Sequence, residues 1–420
     1  MKRVLILAHL GLASPRILGL AKYLNVYGWE ATILTPKMTS SQKLKYLFPN
    51  TPKVKIVETN DYVMRYGQEN IPKRYVNLIL KIKNSIKYRL NRYLIKRFTD
   101  YPDTQKIWVP HALKKAGQLL KEEKYSIILS SSSPVSYHVL ASKLKDLYQI
   151  PWIADLRDLW TLNHNYNYSL MRKIMEENLE RKTLGNADAM ITVSPQWVLK
   201  LKDFHKTKHV YLITNGCDEL KHSLEYKREK KIVFTYTGRI YPEKQDCSKF
   251  LIAISNLIEE NYVDSEKIEF NYYGPTKDII RSIIKKNSII DHKIWINLYD
   301  SVTRKESYII QRNSDILLLY NWEDSSEKGV VPSKIFEYIG ANKPIIATGG
   351  YGSDFVSDII SKYNETFYCK NIDQIKITVM RLINYIYVNG VNIKINNDIN
   401  LYSYTTLSKN LSLILNNYSN

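Results

Sequence analysis

The sequence predicts an α/β protein made of two doubly wound halves, each a parallel sheet layered between helices. Three observations carry this. Short apolar runs alternate with helical patterns along nearly the whole chain, as parallel strands joined by crossover helices require. At 420 residues the chain exceeds what one hydrophobic core usually serves. The plan also begins again after the turn dipeptide Asn215-Gly216 and the charged residues 221–231, which read as a hinge.

In the first half, residues 4–8, 31–35, 54–57, 127–130, 152–154 and 189–193 read as strands, with helices over 16–27, 111–123, 137–148 and 171–184. In the second half, 232–237, 268–273, 294–297, 316–320 and 345–347 read as strands. The expected domains are residues 1–214 and 215–400, followed by 401–420, whose amphipathic helix over 404–416 has no packing partner legible in the pattern. Two such halves facing each other would set strand C-terminal ends, and hence ligands, along a cleft. The opening M-K-R-V-L-I-L-A-H-L-G-L-A is brief, broken by His9 and followed directly by a helix pattern, so it reads as a buried first strand and not as a signal peptide. No run of 18 apolar residues is present, so no membrane span is expected. Cys217, Cys247 and Cys369 are far apart and form no C-x-x-C, which argues against a disulfide framework or a zinc site and fits a reducing compartment.

The most informative stretch is residues 329–350, G-V-V-P-S-K-I-F-E-Y-I-G-A-N-K-P-I-I-A-T-G-G. A loop with Pro332 leads into a helix opened by Ser333, which carries Lys334 and, one turn on, Glu337; Gly340 and Pro344 are expected to end it. A helix N-terminus presents free N–H groups and partial positive charge to an anion such as phosphate, and Lys334 adds a full charge. A carboxylate at Glu337 can accept two hydroxyl hydrogen bonds. Phosphate plus a vicinal diol describes a nucleotide; an ordinary capped helix between two strands is the alternative. Earlier, F-T-Y-T-G-R-I-Y-P-E-K ends a strand at Gly238, where backbone can approach a ligand, and places Arg239 and Lys244 just beyond it. Two cations there can clamp a diphosphate, or else be a paired arginine and a solvated lysine. The loop after the first strand holds Gly11, Ser14 and Arg16, which can touch donor phosphate or acceptor; one glycine is not a dinucleotide fingerprint.

These segments resemble a known family. G-R-I-Y-P-E-K is similar to the G-R-x-x-x-E-K phosphate clamp of retaining family 4 (group 1) glycosyltransferases. The segment from Gly329 resembles their P-S-K-x-F-E-Y-x-A-x-G-K-P donor-nucleotide motif, with Gly340 and Asn342 departing from it. Residues 14–35, the P-W-I-A-D-L-R-D-L-W segment at 151–160, and A-D-A-M-I-T-V-S with the following I-T-N-G-C-D agree with the polysaccharide-forming members, in order. The resemblance implies a GT-B fold: two Rossmann-like domains, the second binding a nucleotide sugar and the first the acceptor, with no metal or other cofactor required. By motif position, Arg239 and Lys244 would hold the diphosphate, Glu337 the ribose hydroxyls, Gly274 would lie near the base, and Gly238, Lys334 and the N–H groups after Pro332 and Ser333 would add contacts. The broader family has two glutamates with seven residues between them; Glu337 matches the second, Gly329 stands at the first, and Glu327 is nearby. Many members place a histidine where Asp155, Arg157 and Asp158 occur here. Asp155 or Asp158 could orient the acceptor hydroxyl and Arg157 hold a lipid-linked phosphate; a structural Arg–Asp pair bracing a loop is the alternative. His138 could face the cleft, or be structural.

The net charge of +20 is uneven: residues 1–200 hold 32 Lys and Arg against 15 Asp and Glu, leaving +17 there and +3 in the remainder. That points to an anionic partner for the first half. Residues 70–99 contain no acid, and Tyr75, Ile79, Ile82, Ile86, Leu90 and Tyr93 recur at helical spacing beside nine Lys and Arg. This reads as docking to an anionic membrane surface, against solvated charges on a packed helix; no nucleic-acid motif accompanies it. The expected protein is thus a retaining hexosyl- or N-acetylhexosaminyltransferase, peripheral on the cytoplasmic face of the cell membrane. It would move a sugar from a nucleotide-diphosphate sugar to a lipid-linked or glycan acceptor in cell-surface polysaccharide biosynthesis. The alternatives are a sugar-nucleotide epimerase or hydrolase on the same fold, and a silent membrane-associated scaffold.

Overall fold

The computed structural model describes residues 1–10, 15–40, 42–43, 54–59, 100–163, 166, 168–218, 231–242, 244–323, 329–350, 354–363, 365–389 and 399–419. The chain forms two units. The first comprises Met1–Val193, Trp197–Ile213 and Ser408–Asn420, and the second Ser194–Gln196 and Thr214–Leu407. The basic residues 70–99, and most of the expected hinge at 221–231, lie outside the described residues.

The first unit contains β1 (Lys2–Leu7), α1 (Arg16–Leu24), β2 (Trp29–Pro36), β3 (Val54–Thr59), α2 (Val109–Glu122), β4 (Ile127–Ser132), α3 (Ser136–Tyr148), β5 (Trp152–Leu156), α4 (Leu170–Leu184), β6 (Ala189–Thr192), α5 (Pro195–His205) and β7 (Val210–Leu212). Its strands lie in the order β3-β2-β1-β4-β5-β6-β7, all parallel. Every residue of β4 and β5 is buried, as strands covered on both faces must be, which is why they read as unbroken runs and not as alternation. Between β1 and β4 the order reverses direction, and the register puts Ser131 beside Asp155 on the neighbouring strand.

The second unit contains β8 (Ile232–Thr237), α6 (Ser248–Glu259), β9 (Ile268–Tyr273), α7 (Lys277–Lys286), the single turn α8 (His292–Trp295), β10 (Ile296–Tyr299), α9 (Arg304–Asn313), β11 (Ile316–Tyr320), α10 (Lys334–Ala341), β12 (Ile345–Thr348), α11 (Phe355–Ile360), β13 (Thr366–Cys369), α12 (Ile372–Asn389) and the start of the last helix α13 (Tyr404–Tyr418). The sheet order is β10-β9-β8-β11-β12-β13, again all parallel. Along β11, Ile316, Leu318 and Tyr320 enter one core while Leu317 and Leu319 enter another, so the strand serves both faces. The order reverses between β8 and β11, and a crevice at such a switch point is where open α/β sheets bind ligands. No helix among the described residues is long and apolar enough to cross a membrane.

Several sequence expectations shift, each for a local reason. The expected strand at 294–297 begins only at Ile296, because Asp291 is left-handed (φ 48°) and the chain makes one helical turn that buries Trp295, whose indole N–H donates to the Ile290 carbonyl at 3.1 Å. The short strands β7 and β13 are not in the sequence reading. From Ser408 on, the last helix clusters with the first unit, where the Ser408 hydroxyl donates to the Leu20 carbonyl at 2.8 Å. Gly340 does not end α10: it lies inside the helix, and Asn342 ends it with φ 57°. A Cβ at Gly340 would stand 2.8 Å from Cys217 Cβ, so the absence of a side chain is needed for packing and not for a turn. Gly340→Ala is therefore expected to lower stability by roughly 1–3 kcal/mol despite alanine's better helix propensity. Urea unfolding would show it, and combining it with Cys217→Gly should restore most of the loss.

Candidate functional site

The switch point of the second unit brings together residues from four segments. Strand β8 ends at Thr237, and Gly238 follows with φ 117°, its N–H donating to the Tyr273 carbonyl at 2.7 Å. Where a Cβ would sit on Gly238, the Lys334 side chain passes, with Cε at 2.6 Å and Nζ at 2.8 Å. Only glycine allows this crossing, both for the space and for the positive φ. The ammonium lies 5.4 Å from the centre of the buried Tyr236 ring. Burial pulls the Lys334 pKa below its ordinary value, and the Glu337 charge one turn on works against that shift.

Glu337 is oriented by a bond the sequence does not reveal. Gln311 on α9 donates from Nε2 to Glu337 Oε2 at 3.2 Å, to Thr237 Oγ1 at 2.9 Å and to Ser307 Oγ at 3.0 Å. Arg304, on the same helix, senses Glu337 as well. Burial opposes its charge, yet Tyr308, Glu337 and Tyr404 outweigh this and raise its pKa. Ser333 begins α10 with helical backbone and no side-chain cap bond, and the Pro332 carbonyl accepts from Ile335 N at 3.2 Å.

The remaining predicted donor residues surround this core. Arg239 is exposed, its carbonyl accepting from the Tyr236 hydroxyl at 2.9 Å. Its charge reaches the Tyr272 hydroxyl, which bonds Thr276 Oγ1 at 2.6 Å. Gly274 is buried, and a Cβ there would lie 2.3 Å from the Gly238 carbonyl oxygen, so the loops after β8 and β9 touch through bare backbone. Beside it Tyr273 and Tyr299 stack at 4.6 Å, at the ends of β9 and β10. The Lys244 carbonyl accepts from Glu323 N at 2.9 Å just past β11, and the Glu323 carboxylate pairs with Lys249 at 2.9 Å. Glu327 lies outside the described residues, and Gly329 is buried. No group of three or more His, Cys, Asp or Glu able to hold a metal ion occurs among the described residues.

In the first unit, Arg16 and Asp155 form a buried ion pair, their side chains 0% and 2% exposed, with Nη2 to Oδ1 at 2.9 Å. The Ser131 hydroxyl donates to Asp155 Oδ2 at 2.7 Å. This corrects the sequence reading of both residues: Asp155 is committed to Arg16 and Ser131, and Arg16 does not face a ligand. Removing one partner of such a pair leaves an uncompensated buried charge and typically costs about 3–5 kcal/mol. His138 takes the structural alternative. It is fully buried, with Nδ1 at 2.7 Å from Ser130 Oγ, which also accepts from the Trp152 indole at 2.7 Å. Burial lowers its pKa from 6.5 to about 4, against the pull of Asp155. Arg157 donates from Nη2 to the Ser133 carbonyl at 3.3 Å and sits 3.5 Å from Asp158 Oδ2, so it ties the loops after β4 and β5 together. Asp158 keeps its carboxylate 41% exposed. Gly11 and Ser14 lie outside the described residues.

Residues 14–219 match the profile of Glycosyltransferase Family 4. Over those residues the chain carries the sequence pattern of glycosyltransferase family 4. No curated protein matches the chain. Among solved structures, the chain is similar to HepE of Anabaena, at 11% identity over 99% of this chain and 100% of that one, with a TM-score of 0.59. It is similar to S. aureus TarM, at 11% identity over 99% and 100%, with a TM-score of 0.60. A third likeness is to sucrose-phosphate synthase from Thermosynechococcus elongatus, at 12% identity over 100% and 95%, with a TM-score of 0.58. At such identities these likenesses show the fold, the two-domain GT-B type.

Sequence reasoning missed Gln311, Arg304 and Glu323. The signal was faint: Arg304 and Gln311 belong to an ordinary amphipathic helix, and their contacts arise only when α9 packs against α10. The buried His138 makes a pH prediction. Below pH 6.5 the unfolded chain takes up a proton at this residue, which the folded chain accepts only near pH 4. Stability should be complete above pH 6.5 and fall by roughly 3 kcal/mol as the pH drops through that window. Urea melts of the parent and of His138→Phe as a function of pH would show this slope in the parent alone.

Proposed function

We propose that the protein transfers a sugar from a nucleoside-diphosphate sugar to a lipid-linked or glycan acceptor, with retention of configuration, in cell-surface polysaccharide biosynthesis. The observation that carries the donor half is the crossing of Lys334 over Gly238, one helical turn from a Glu337 held by Gln311. A cation packed on bare backbone suits a diphosphate, and an oriented carboxylate next to it suits a ribose diol. The HepE structure contains UDP and glucose, and a TarM structure contains UDP, which supports a nucleotide-sugar donor for this chain.

In this reading Arg239, Lys244 and Lys334 meet the diphosphate charge, and Glu337 accepts from the ribose hydroxyls. The acceptor oxygen forms its bond to the anomeric carbon on the face from which the diphosphate leaves. The sugar–diphosphate bond breaks, and the acceptor proton passes to a departing phosphate oxygen. The cations stabilise the charge that grows on that group, with no metal ion needed for the step. Asp158 is assigned to the acceptor side, together with Arg157 through the loop it braces. The protein works peripherally at the cytoplasmic face of the membrane, with the excess positive charge of the first half as the attraction to anionic lipid.

Arg239→Ala should lower transfer by about 100-fold or more while leaving thermal melting unchanged, and Glu337→Ala should lower it by as much with a lower melting temperature, because Glu337 offsets the charge of Lys334. Full activity in either variant overturns the assignment. Stabilisation by a nucleotide sugar in a thermal-shift series of UDP-, GDP- and other sugars would name the base, about 2.7 kcal/mol being expected at a hundredfold excess over Kd. Labelled sugar should appear in product only when acceptor is present, which separates transfer from epimerisation or hydrolysis. The same assay in EDTA should run at the parental rate; a loss reversed by magnesium would overturn the metal-independent step.

A further inference from the structure

Helix α4 is built inside out. The positions it turns inward, four residues apart, are Arg172, Glu176 and Glu180, all buried. Each has at least one polar partner. Arg172 pairs with Glu176 at 2.7 Å and donates to the Asp100 and Pro102 carbonyls at 2.7 and 3.1 Å, while Glu176 accepts from the Trp160 indole at 3.0 Å and Glu180 from Thr161 N at 3.0 Å. The face turned outward is aliphatic over the first two turns: Leu170 is 74% exposed, Met171 68%, Ile174 53% and Met175 44%. Tyr168, 46% exposed, extends this face just before the helix, with the Arg172 guanidinium stacked on its ring at 4.0 Å. A helix at a water-facing surface has the opposite polarity, ions outward and aliphatics inward. Contiguous exposed apolar side chains of this kind mark an interaction surface.

We propose that Tyr168 and the first two turns of α4 insert into the interfacial zone of an anionic lipid bilayer. Three further observations select lipid. Beyond Met175 the same face turns polar and then basic, through Asn178, Arg181, which is stacked on the Phe204 ring at 3.8 Å, and Lys182, the order of an interfacial helix with its cations beyond the apolar part. A tyrosine at the edge of the patch suits the membrane–water boundary. In the sequence the acid-free residues 70–99, with nine Lys and Arg, directly precede Asp100, whose carbonyl Arg172 holds. Five side chains on two helical turns are also far short of the ~20–30 residues per side of a stable dimer interface. The proposal rests on the membrane location in the proposed function, and adds that an apolar element enters the bilayer.

The test compares the parent with the combined variant Leu170→Ser, Met171→Ser, Ile174→Ser and Met175→Ser by flotation with phosphatidylcholine vesicles, with and without phosphatidylglycerol. The parent should float with the anionic vesicles, and the variant should lose about tenfold or more of its partitioning with unchanged thermal melting. Ile174→Trp should gain fluorescence that brominated lipid quenches, whereas Ile377→Trp in the second unit should not. Equal flotation of parent and variant, with an unquenched tryptophan in Ile174→Trp, overturns insertion while leaving charge-driven membrane binding intact. A parent that fails to float with anionic vesicles overturns the membrane location itself. A variant that melts several degrees lower, or that turns a dimer into a monomer without lipid, shows that the chain or a second copy covers the face, and overturns the proposal.

Discussion

At the end of β8 the chain has to pass beneath a lysine, and the architecture of the second unit follows from that close approach. Gly238 leaves the space that the Lys334 side chain fills, and its carbonyl lies against Gly274, so the loops after β8 and β9 meet through bare backbone. Tyr236, Tyr272 and Tyr320 pack together in one core of this unit, and Tyr338 in the other. The Tyr236 and Tyr320 ring centres are 4.7 Å apart, and the Tyr338 hydroxyl accepts from Thr237 N at 3.5 Å. Burial keeps the Tyr236, Tyr320 and Tyr338 phenols protonated by raising their pKa values, so these rings carry no negative charge to neutralise Lys334. The compensating charge comes from Glu337, and Gln311 bonds both Glu337 and Thr237, tying α9 and α10 to the strand end.

The first unit uses buried ions differently. Arg16 with Asp155, and Arg172 with Glu176, are removed from solvent and saturated with hydrogen bonds. Pairs of this kind add little net stability over apolar residues of the same size, because desolvation cancels much of the attraction. Their effect is positional. Arg16 joins α1 to β5, while Glu176 and Glu180 hold Trp160 and Thr161 in the loop after β5, just beyond Arg157 and Asp158. The loops at the ends of β4 and β5 are thus set by ionic contacts that tolerate little displacement. The same arrangement turns the aliphatic side of α4 outward, because its inward positions are taken by charge.

Local signals were legible where one chemical cause dominates. Unbroken apolar runs marked the central strands, and Gly238, Lys334 and Glu337 carried their spacing openly. Reading failed where a residue type has two uses. Gly340 looked like a helix stop and is a packing glycine against Cys217. Arg16 and Asp155 looked like polar groups awaiting a substrate and are partners of each other in the interior. Trp295 sits in a stretch apolar enough for a strand and anchors a helical turn instead.

The sequence by itself determined two doubly wound parallel sheets, most of their strands, and the segments that meet at the end of β8, since each depends on periodicity or on residues close in sequence. Only the tertiary structure decided which polar side chains are buried, that Gln311 orients Glu337 across 26 positions, and that α4 faces its aliphatic side outward. Those outcomes depend on contacts between elements distant in the chain. A one-dimensional pattern states which residues are polar, and packing alone states which of them keep their water.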